Sequence, residues 1–141
     1  MKAISLWNPW AEAMRLGLKK CETRSWPTEY RGDLIICSAK RRLDETGLSV
    51  ALGQQIPLTG MKFGFALCIV EICGCVSTER VQGFLPPLDK TELALGDYSP
   101  KRFVWLTQNL RPLANPVPIV GHQGFWNLPT ETVAAITANL P

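Results

Sequence analysis

Charged and aromatic side chains are concentrated in one short segment, which runs from Gly17 to Trp26. Its alternate positions hold Lys20, Glu22 and Arg24, and Trp26 is the next residue in phase. Because successive side chains of a β-strand point to opposite faces, a strand here would present a row of charge that ends in an aromatic ring. Such a row is costly to bury unless the charges pair with one another and with a ligand. The segment favours a wet binding cleft, and a solvated edge strand is the alternative.

Tryptophan is abundant, with five in 141 residues, and at least two of the five are expected only to fill the core. Where tryptophan alternates with lysine and arginine, the combination also suits a stacked base with phosphates nearby. A nucleic acid or nucleoside is therefore a candidate ligand. Trp7 or Trp26 would stack a base, and Lys19 and Arg24 would contact phosphate or carbonyl oxygens. Glu22 would orient these two cations or read an amino edge of the base.

Glu71 interrupts the longest β-rich stretch between two apolar residues. A carboxylate inside an apolar strand is costly unless a cation meets it, and Lys19 or Arg24 could be that cation. In that arrangement Lys19, Glu22 and Glu71 could support acid–base chemistry. The sequence supports an alternative equally well. In it, Glu71 lies on the solvent face of an antiparallel strand and its two apolar neighbours face inward.

The composition is that of one globular domain over residues 1–141, with 46% hydrophobic and 19% charged residues. The net charge of +3 is compatible with a nucleic-acid partner but does not require one. No apolar run approaches about 20 residues, so no membrane-spanning helix is expected. A Walker loop, a Rossmann glycine pattern and a G-x-S-x-G elbow are all missing, which disfavours nucleotide cofactors and serine hydrolase chemistry.

The cysteines are odd in number and follow no metal-binding spacing, and the one histidine has no matched partner pattern. No secretory signal opens the chain. We therefore expect no metal and no cofactor, and we expect buried, reduced thiols in a cytoplasmic protein. The cysteines are Cys21, Cys37, Cys68, Cys73 and Cys75.

Periodicity and turn signals predict many strands and a few short helices. Asn8-Pro9 is predicted to start a helix that Gly17 ends in the left-handed conformation. Arg41 to about Gln54 and Pro129 to Asn139 are the other predicted helices, and Glu79 to Pro100 is predicted to be a loop with room for one helical turn. The pattern predicts an α+β fold, a partly closed β-barrel with short flanking helices. Strands are predicted over 2–6, 21–26, 33–39, 64–76, 102–107 and 117–120, the last as an edge strand limited by proline.

Gly17, Lys19, Glu22 and Arg24 stand in the spacing G-x-K-x-x-E-x-R. This spacing is the signature of the activating signal cointegrator homology (ASCH) domain family, and the chain resembles that family, most closely its cointegrator-type branch. Other matching features follow in order along the chain: Ile4-Ser-Leu-Trp-Asn-Pro-Trp10, Arg24-Ser-Trp26, Tyr30-Arg-Gly32, Ser38-Ala-Lys40, Pro118-Ile-Val-Gly121 and Phe125-Trp126.

The resemblance implies a β-barrel related to the PUA fold, with a cleft beside the first helix that takes RNA or a nucleotide-like ligand. It places Lys19, Glu22 and Arg24 in the lining of that cleft, Ser38 and Lys40 at its rim, and Glu71 on the facing strand.

Some small bacterial relatives of this type hydrolyse the acyl amide of N4-acetylcytidine with a Lys, a Thr and a Glu. Lys19 and Glu71 match two of these positions, but Glu22 stands where the threonine nucleophile would be. Other bacterial members cleave single-stranded RNA. Lys19, Glu22 and Glu71 could support attack by a ribose hydroxyl in such a reaction.

The leading hypothesis is a module that binds single-stranded RNA, DNA or a modified nucleoside in a basic cleft, with Lys40 on the outer backbone. The rival hypothesis is a hydrolase that uses the same cleft, either a ribonuclease or an amidohydrolase, with Lys19 and Glu71 as catalytic groups and Glu22 as base or orienting group. A weaker third hypothesis is a protein-interaction module whose strip Lys40-Arg41-Arg42 docks an acidic partner.

Overall fold

A computed structural model describes residues 1–42, 56–57, 60–81 and 90–141 of the chain. The predicted helix from Arg41 to Gln54 lies outside the described residues beyond Arg42. The described strands and helices are β1 (Lys2–Leu6), α1 (Trp10–Arg15), β2 (Cys21–Arg24), β3 (Gly32–Ser38), β4 (Phe65–Ser77), α2 (Lys90–Ala94), β5 (Phe103–Pro118), β6 (Trp126–Asn127) and α3 (Thr130–Ala138).

In the described ranges the strands form one mixed sheet of six strands, in the order β2-β5-β4-β3-β1-β6. Strands β1 and β3 are parallel, and every other neighbouring pair is antiparallel. The sheet is open, because the outermost strands β2 and β6 are not paired with each other in this part of the chain. The predicted α+β, PUA-like fold is confirmed.

Both faces of the central strands are buried, which explains the apolar run of β3. Leu34 and Ile36 face one core, which contains Met14 of α1 and the fully enclosed Trp105. The alternate residue Ile35 faces a second core, which α3 closes through Ile136. Helices therefore cover the sheet on both sides, and helix α1 lies on the side that carries the charged segment.

Helix α1 lies close to where the sequence predicts it, although Pro9 and not Asn8 stands at its N-cap position. The Asn8 side chain accepts the N–H of Glu12 at 3.2 Å and donates to the Lys62 carbonyl at 2.8 Å. Gly17 has φ +76°, a left-handed conformation that favours glycine. After this turn, the N–H groups of Leu18 and Lys19 both donate to the carbonyl of Ala13. The chain therefore folds back against the helix and carries Lys19 towards the interior.

The prediction of a separate edge strand over 117–120 is wrong. Strand β5 runs without a break to Pro118 and pairs with β4 along its length, with irregularities in register. It tolerates Pro112 and Pro118 because β2 pairs only with its first four residues, from Phe103 to Leu106. Beyond that point one flank of β5 has no strand neighbour in the described part of the chain, so a missing N–H there breaks no ladder bond.

Candidate functional site

Two adjoining cavities lie between the start of the sheet and the segment after α2. The first, here called the inner chamber, has a volume of about 570 Å³. The second, the outer basin, has a volume of about 700 Å³. Ser5, Trp7, Arg24 and Trp26 line both cavities, so the two form one continuous cleft.

Charge differs between the two parts of the cleft. In the inner chamber, Glu22 and Asp97 balance Arg24 and Arg102. The described lining of the outer basin has Arg24, Lys40 and Arg41 and no carboxylate. The electrostatic potential therefore becomes more positive from the chamber towards the basin, which suits a ligand with an uncharged inner part and an anionic outer part.

Asp97 is held ionised at the wall of the chamber. The hydroxyl of Ser99 donates to its carboxylate at 2.6 Å and the N–H of Ser99 at 3.1 Å. These two bonds lower the pKa of Asp97, and the nearby charge of Arg102 acts in the same direction. The guanidinium of Arg102 lies 3.3 Å from the carboxylate. Asp97 thus neutralises Arg102, and the chamber keeps its charge balance at neutral pH.

Two polar atoms at the boundary of chamber and basin have no hydrogen-bond partner among the described residues. They are Oγ of Ser5 and Nε of Arg24, and both are covered from solvent. An unpaired buried polar group costs about 1–3 kcal/mol, so each such group in a native structure calls for an explanation. Both residues line the cleft, so the two unpaired atoms lie in its wall.

Lys19 is buried beside this cleft and does not line the chamber. Its ammonium group donates to the carbonyls of Cys21 at 2.6 Å and Leu95 at 3.1 Å, and lies 3.4 Å from Oε1 of Glu22. The side chain is 1% exposed. These partners account for its charge, because a buried ammonium needs acceptors and a counter-ion. In the observed geometry, Lys19 holds the carboxylate of Glu22 in position.

Glu22 links the buried lysine to the open cleft. Its Oε1 accepts the N–H of Thr23 at 3.0 Å, and its Oε2 lies 3.4 Å from Nη2 of Arg24. The predicted role of Glu22 in orienting Lys19 and Arg24 agrees with these distances. The hydroxyl of Thr23 accepts the N–H of Asp97 at 2.9 Å, which ties β2 to the segment after α2.

The tryptophans divide between core and cleft. Trp105 is fully buried and donates to the Trp26 carbonyl at 3.2 Å. The ring of Trp26 is half-buried and packs edge-on against Trp105 and Phe125, at centroid distances of 4.6 and 5.6 Å. Trp7 is 43% exposed, and the guanidinium of Arg41 lies 5.5 Å from its ring centroid. Trp7 and Trp26 are therefore the rings that line the whole cleft.

The two residues expected at the rim have different positions. Lys40 is exposed and lines the outer basin. Ser38 is completely buried, and the prediction of a rim position for it is wrong. Its Oγ donates to the carbonyl of Phe65 at 3.3 Å and accepts the N–H of Phe65 at 3.2 Å. This exchange closes the pairing of β3 with β4 where their register shifts, so Ser38 has a structural position.

Glu71 faces away from Lys19 and Arg24. Its carboxylate accepts a hydrogen bond from the side-chain amide of Asn109, while its neighbours Val70 and Ile72 are buried. The alternative of a glutamate on the outer face of an antiparallel strand is the one observed. Lys19 and Arg24 take Glu22 as their carboxylate partner instead.

Sequence reasoning missed the part played by helix α2 and the turn after it. Glu92 accepts the N–H groups of Lys20 and Cys21 at 2.8 and 2.9 Å, which fixes the start of β2. Leu95 supplies a carbonyl to Lys19, and Asp97 lines the chamber. Residues Ala94 to Asp97 of the predicted loop thus form a wall of the cleft, and residues 82–89 of that loop lie outside the described part of the chain. The irregular pattern of this segment contains no signal that would have placed it there.

The thiols show no sign of a metal centre in the part of the chain that the structure describes. No group of three or more His, Cys, Asp or Glu side chains there is arranged to hold a metal ion. All five cysteines are free. Burial raises the pKa of Cys21 to about 12, with Glu92 adding to the shift, and burial raises that of Cys37 to about 12.

Among the described residues, no helix is long and apolar enough to cross a membrane.

The fold and the cleft together define a PUA-like α+β domain with a charged, tryptophan-lined cleft. The model of the ASCH domain family matches residues 4–114. The chain therefore belongs to the ASCH domain family, and the resemblance seen in the sequence is confirmed.

Two curated relatives and one solved structure illustrate this membership. Activating signal cointegrator 1 of Mus musculus is 26% identical over 136 residues, and that of Homo sapiens is 24% identical over the same length. Each match covers 91% of this chain but only 22% of the relative, so the chain spans about a fifth of these proteins. The crystal structure of ASCH from Zymomonas mobilis superposes with a TM-score of 0.60 at 14% identity, covering 99% of this chain and 95% of that one.

Proposed function

We propose that this ASCH domain binds single-stranded nucleic acid, with RNA as the preferred ligand. One base would lie in the inner chamber and phosphate in the outer basin. The observation that carries the proposal is the boundary at Arg24 and Ser5, where two buried polar atoms lack partners between a charge-balanced chamber and a cationic basin. A base offers acceptors for Arg24 and an amino edge for Glu22. A phosphate offers oxygens to Lys40 and Arg41.

The two tryptophan rings of the cleft suit an unpaired base better than a duplex. Trp7 and Trp26 line the passage between chamber and basin, and aromatic rings stack single-stranded bases. A small rotation of the Arg24 guanidinium would give its Nε the acceptor that it lacks. DNA and a modified nucleoside would use the same contacts. The free thiols and the buried Cys21, Cys37 and Cys68 support action in the cytoplasm, where thiols stay reduced.

The hydrolase hypothesis draws no support from the observed side-chain pairing. Its acid–base set requires Lys19 and Glu71 in one site, whereas Lys19 is enclosed by Cys21, Leu95 and Glu22, and Glu71 bonds to Asn109. Binding without turnover is therefore the function that we favour.

The test measures the affinity of the protein for a ten-nucleotide single-stranded RNA, for DNA of the same sequence and for N4-acetylcytidine. The decisive variant is Arg24→Lys, which keeps the charge but removes the planar fork of donors. We expect RNA affinity to fall about tenfold or more, as for a lost charged hydrogen bond. The control is Lys90→Gln, which removes an exposed cation on α2 that lines neither cavity.

Equal affinities of the two variants would overturn the assignment of the cleft. Mass spectrometry of the same mixtures tests the rival hypothesis, since a hydrolase would leave shortened RNA or free cytidine. Binding should also weaken with added salt, with a slope of roughly −2 in log affinity against log salt for about three neutralised phosphates on a single strand.

A further inference from the structure

A third cavity continues the cleft beyond the outer basin. This aromatic groove has a volume of about 580 Å³, and its lining includes Phe63, Phe65 and Trp126. It shares Lys40, Val120 and His122 with the outer basin. Chamber, basin and groove are therefore consecutive parts of one surface depression.

Each ring in this groove is accompanied by a cation or by another ring. The guanidinium of Arg42 lies 4.1 Å from the centroid of Phe63, and Nζ of Lys62 lies 5.9 Å from that of Phe65. The His122 and Trp126 rings meet edge-on at 5.7 Å. No acidic residue belongs to the described lining of the groove. Aromatic faces beside cations suit a stacked base with a phosphate next to it.

Lys40 lies between the two regions because of a glycine. Gly64 has φ +82°, and a Cβ added there would come within 2.8 Å of Cγ and 3.2 Å of Cε of Lys40. The lysine stem thus lies flat against the glycine backbone, at the place where basin and groove share it. An ammonium group in this position can contact a phosphate that joins a residue in the chamber to one in the groove.

We propose that the aromatic groove is a second nucleotide subsite, which takes the base of a nucleotide next to the one held in the inner chamber. The inference rests on the proposed function and deepens it. The ligand is a single strand of at least two or three nucleotides, and its connecting phosphates cross the outer basin at Lys40. A free nucleoside fills only the chamber, so it lacks the contacts of the groove.

The experiment compares ligands of increasing length by calorimetry: cytidine 5′-monophosphate, a dinucleotide, a trinucleotide and a hexanucleotide of the same base. We expect the trinucleotide to bind at least tenfold more tightly than the monophosphate. Trp126→Leu, which keeps an apolar side chain but loses the stacking face, should weaken the trinucleotide about fivefold or more and leave the monophosphate within twofold. Phe63→Ala, outside the buried core clusters, should do the same and is the second variant if Trp126→Leu folds poorly.

Two controls separate the possible failures. Leu16→Ala, at an exposed apolar residue outside the groove, should change neither affinity. Arg24→Lys should weaken every ligand. The second subsite would be overturned by equal affinity at all ligand lengths, or by a higher affinity for the trinucleotide that survives both aromatic variants. In either case, binding of the monophosphate that depends on Arg24 would leave the proposed function standing. Failure of every ligand to bind would overturn both, and displacement of the trinucleotide by an acidic peptide of equal charge would assign the groove to a protein partner.

Discussion

Nη2 of Arg24 donates to the backbone carbonyl of Ser5 at 3.3 Å, although three strands separate their own strands β2 and β1 in the sheet. The sheet must curl for this contact to form, and the cleft lies where its two ends approach. Trp26, two residues after Arg24, packs into the core beside this gap. One arginine thus joins the two walls of the cleft and lines both of its cavities, which couples the shape of the site to its charge.

Replacement of Lys19 by Met tests whether this lysine supports the fold or contacts the ligand. The change leaves two carbonyls and part of the Glu22 carboxylate without their buried cation. Removing one partner of a buried ion pair costs about 3–5 kcal/mol, and we expect that loss in urea unfolding. Lys20→Met, at the exposed neighbour, should stay within about 0.5 kcal/mol of the parent. A Lys19→Met protein of parental stability that no longer binds RNA would show a direct ligand contact instead.

Glu71→Gln separates catalysis from binding. Glu71 accepts from Asn109 on the outer face of β4, and it is not among the residues that line the chamber or the basin. We expect RNA affinity to be unchanged and the free energy of unfolding to shift by less than about 1 kcal/mol, since partly exposed polar pairs contribute little. Any RNA-cleaving activity of the preparation should also be unaffected. A selective loss of turnover would place Glu71 in the chemistry and revive the hydrolase hypothesis.

Gly121→Ala should damage the site without unfolding the protein. A Cβ at this position would lie 2.9 Å from Oγ of Ser5, so the serine hydroxyl must rotate away. Because that oxygen ends a short, flexible side chain, we expect a stability change of less than about 1 kcal/mol and a several-fold loss of RNA affinity. A double-mutant cycle with Ser5→Ala measures the coupling. If Gly121→Ala weakens binding as much in the Ser5→Ala background as in the parent, Ser5 is not the residue through which it acts.

Alkaline pH should destabilise the fold through its buried thiols. The pKa values of Cys21 and Cys37 are raised from 9.0 to about 12, so both thiols stay neutral in the folded protein. Their contribution to stability is complete below pH 9 and is lost as the pH rises towards 12, because the unfolded chain then releases protons that the folded chain retains. Near pH 10 the loss is about 1.4 kcal/mol per thiol.

Urea unfolding at pH 8 and pH 10 measures this loss. In the Cys21→Ala variant, the free energy of unfolding should differ less between pH 8 and pH 10, by the contribution of one thiol. An unchanged difference would show that Cys21 does not titrate as its burial requires.

Local signals in the sequence were sufficient for most elements and for the charged segment. The residues Asn8-Pro9 and Gly17 mark the two ends of α1, and the apolar run before Ser38 marks β3, because capping and alternation are properties of neighbouring residues. Two residues of the signature, Glu22 and Arg24, line the same cavity in the structure. These predictions needed no knowledge of how distant segments pack.

The errors concern contacts between distant parts of the chain. The burial of Lys19 was not predicted, because Leu95, 76 positions away, supplies one of its acceptors. Ser38 was placed at the rim because of the family resemblance, yet it is buried where β3 meets β4. The prolines suggested a separate edge strand over 117–120. The first two of these residues instead continue β5, which can hold proline there because, among the described residues, the short strand β2 leaves that flank of β5 unpaired. Burial of this kind is set by tertiary packing, which residue spacing does not encode.

The free flank of β5 also bears on how copies of the chain meet one another. A long exposed strand edge invites a second chain to add to the sheet, which is a route to aggregation. Pro112, Pro116 and Pro118 each lack the N–H that such pairing would need. Between them, the N–H of Ala114 already donates to the carbonyl of Asn139 after α3, at 2.8 Å. The residues that disrupt the strand pattern in the sequence thus protect the folded chain from intermolecular sheet growth.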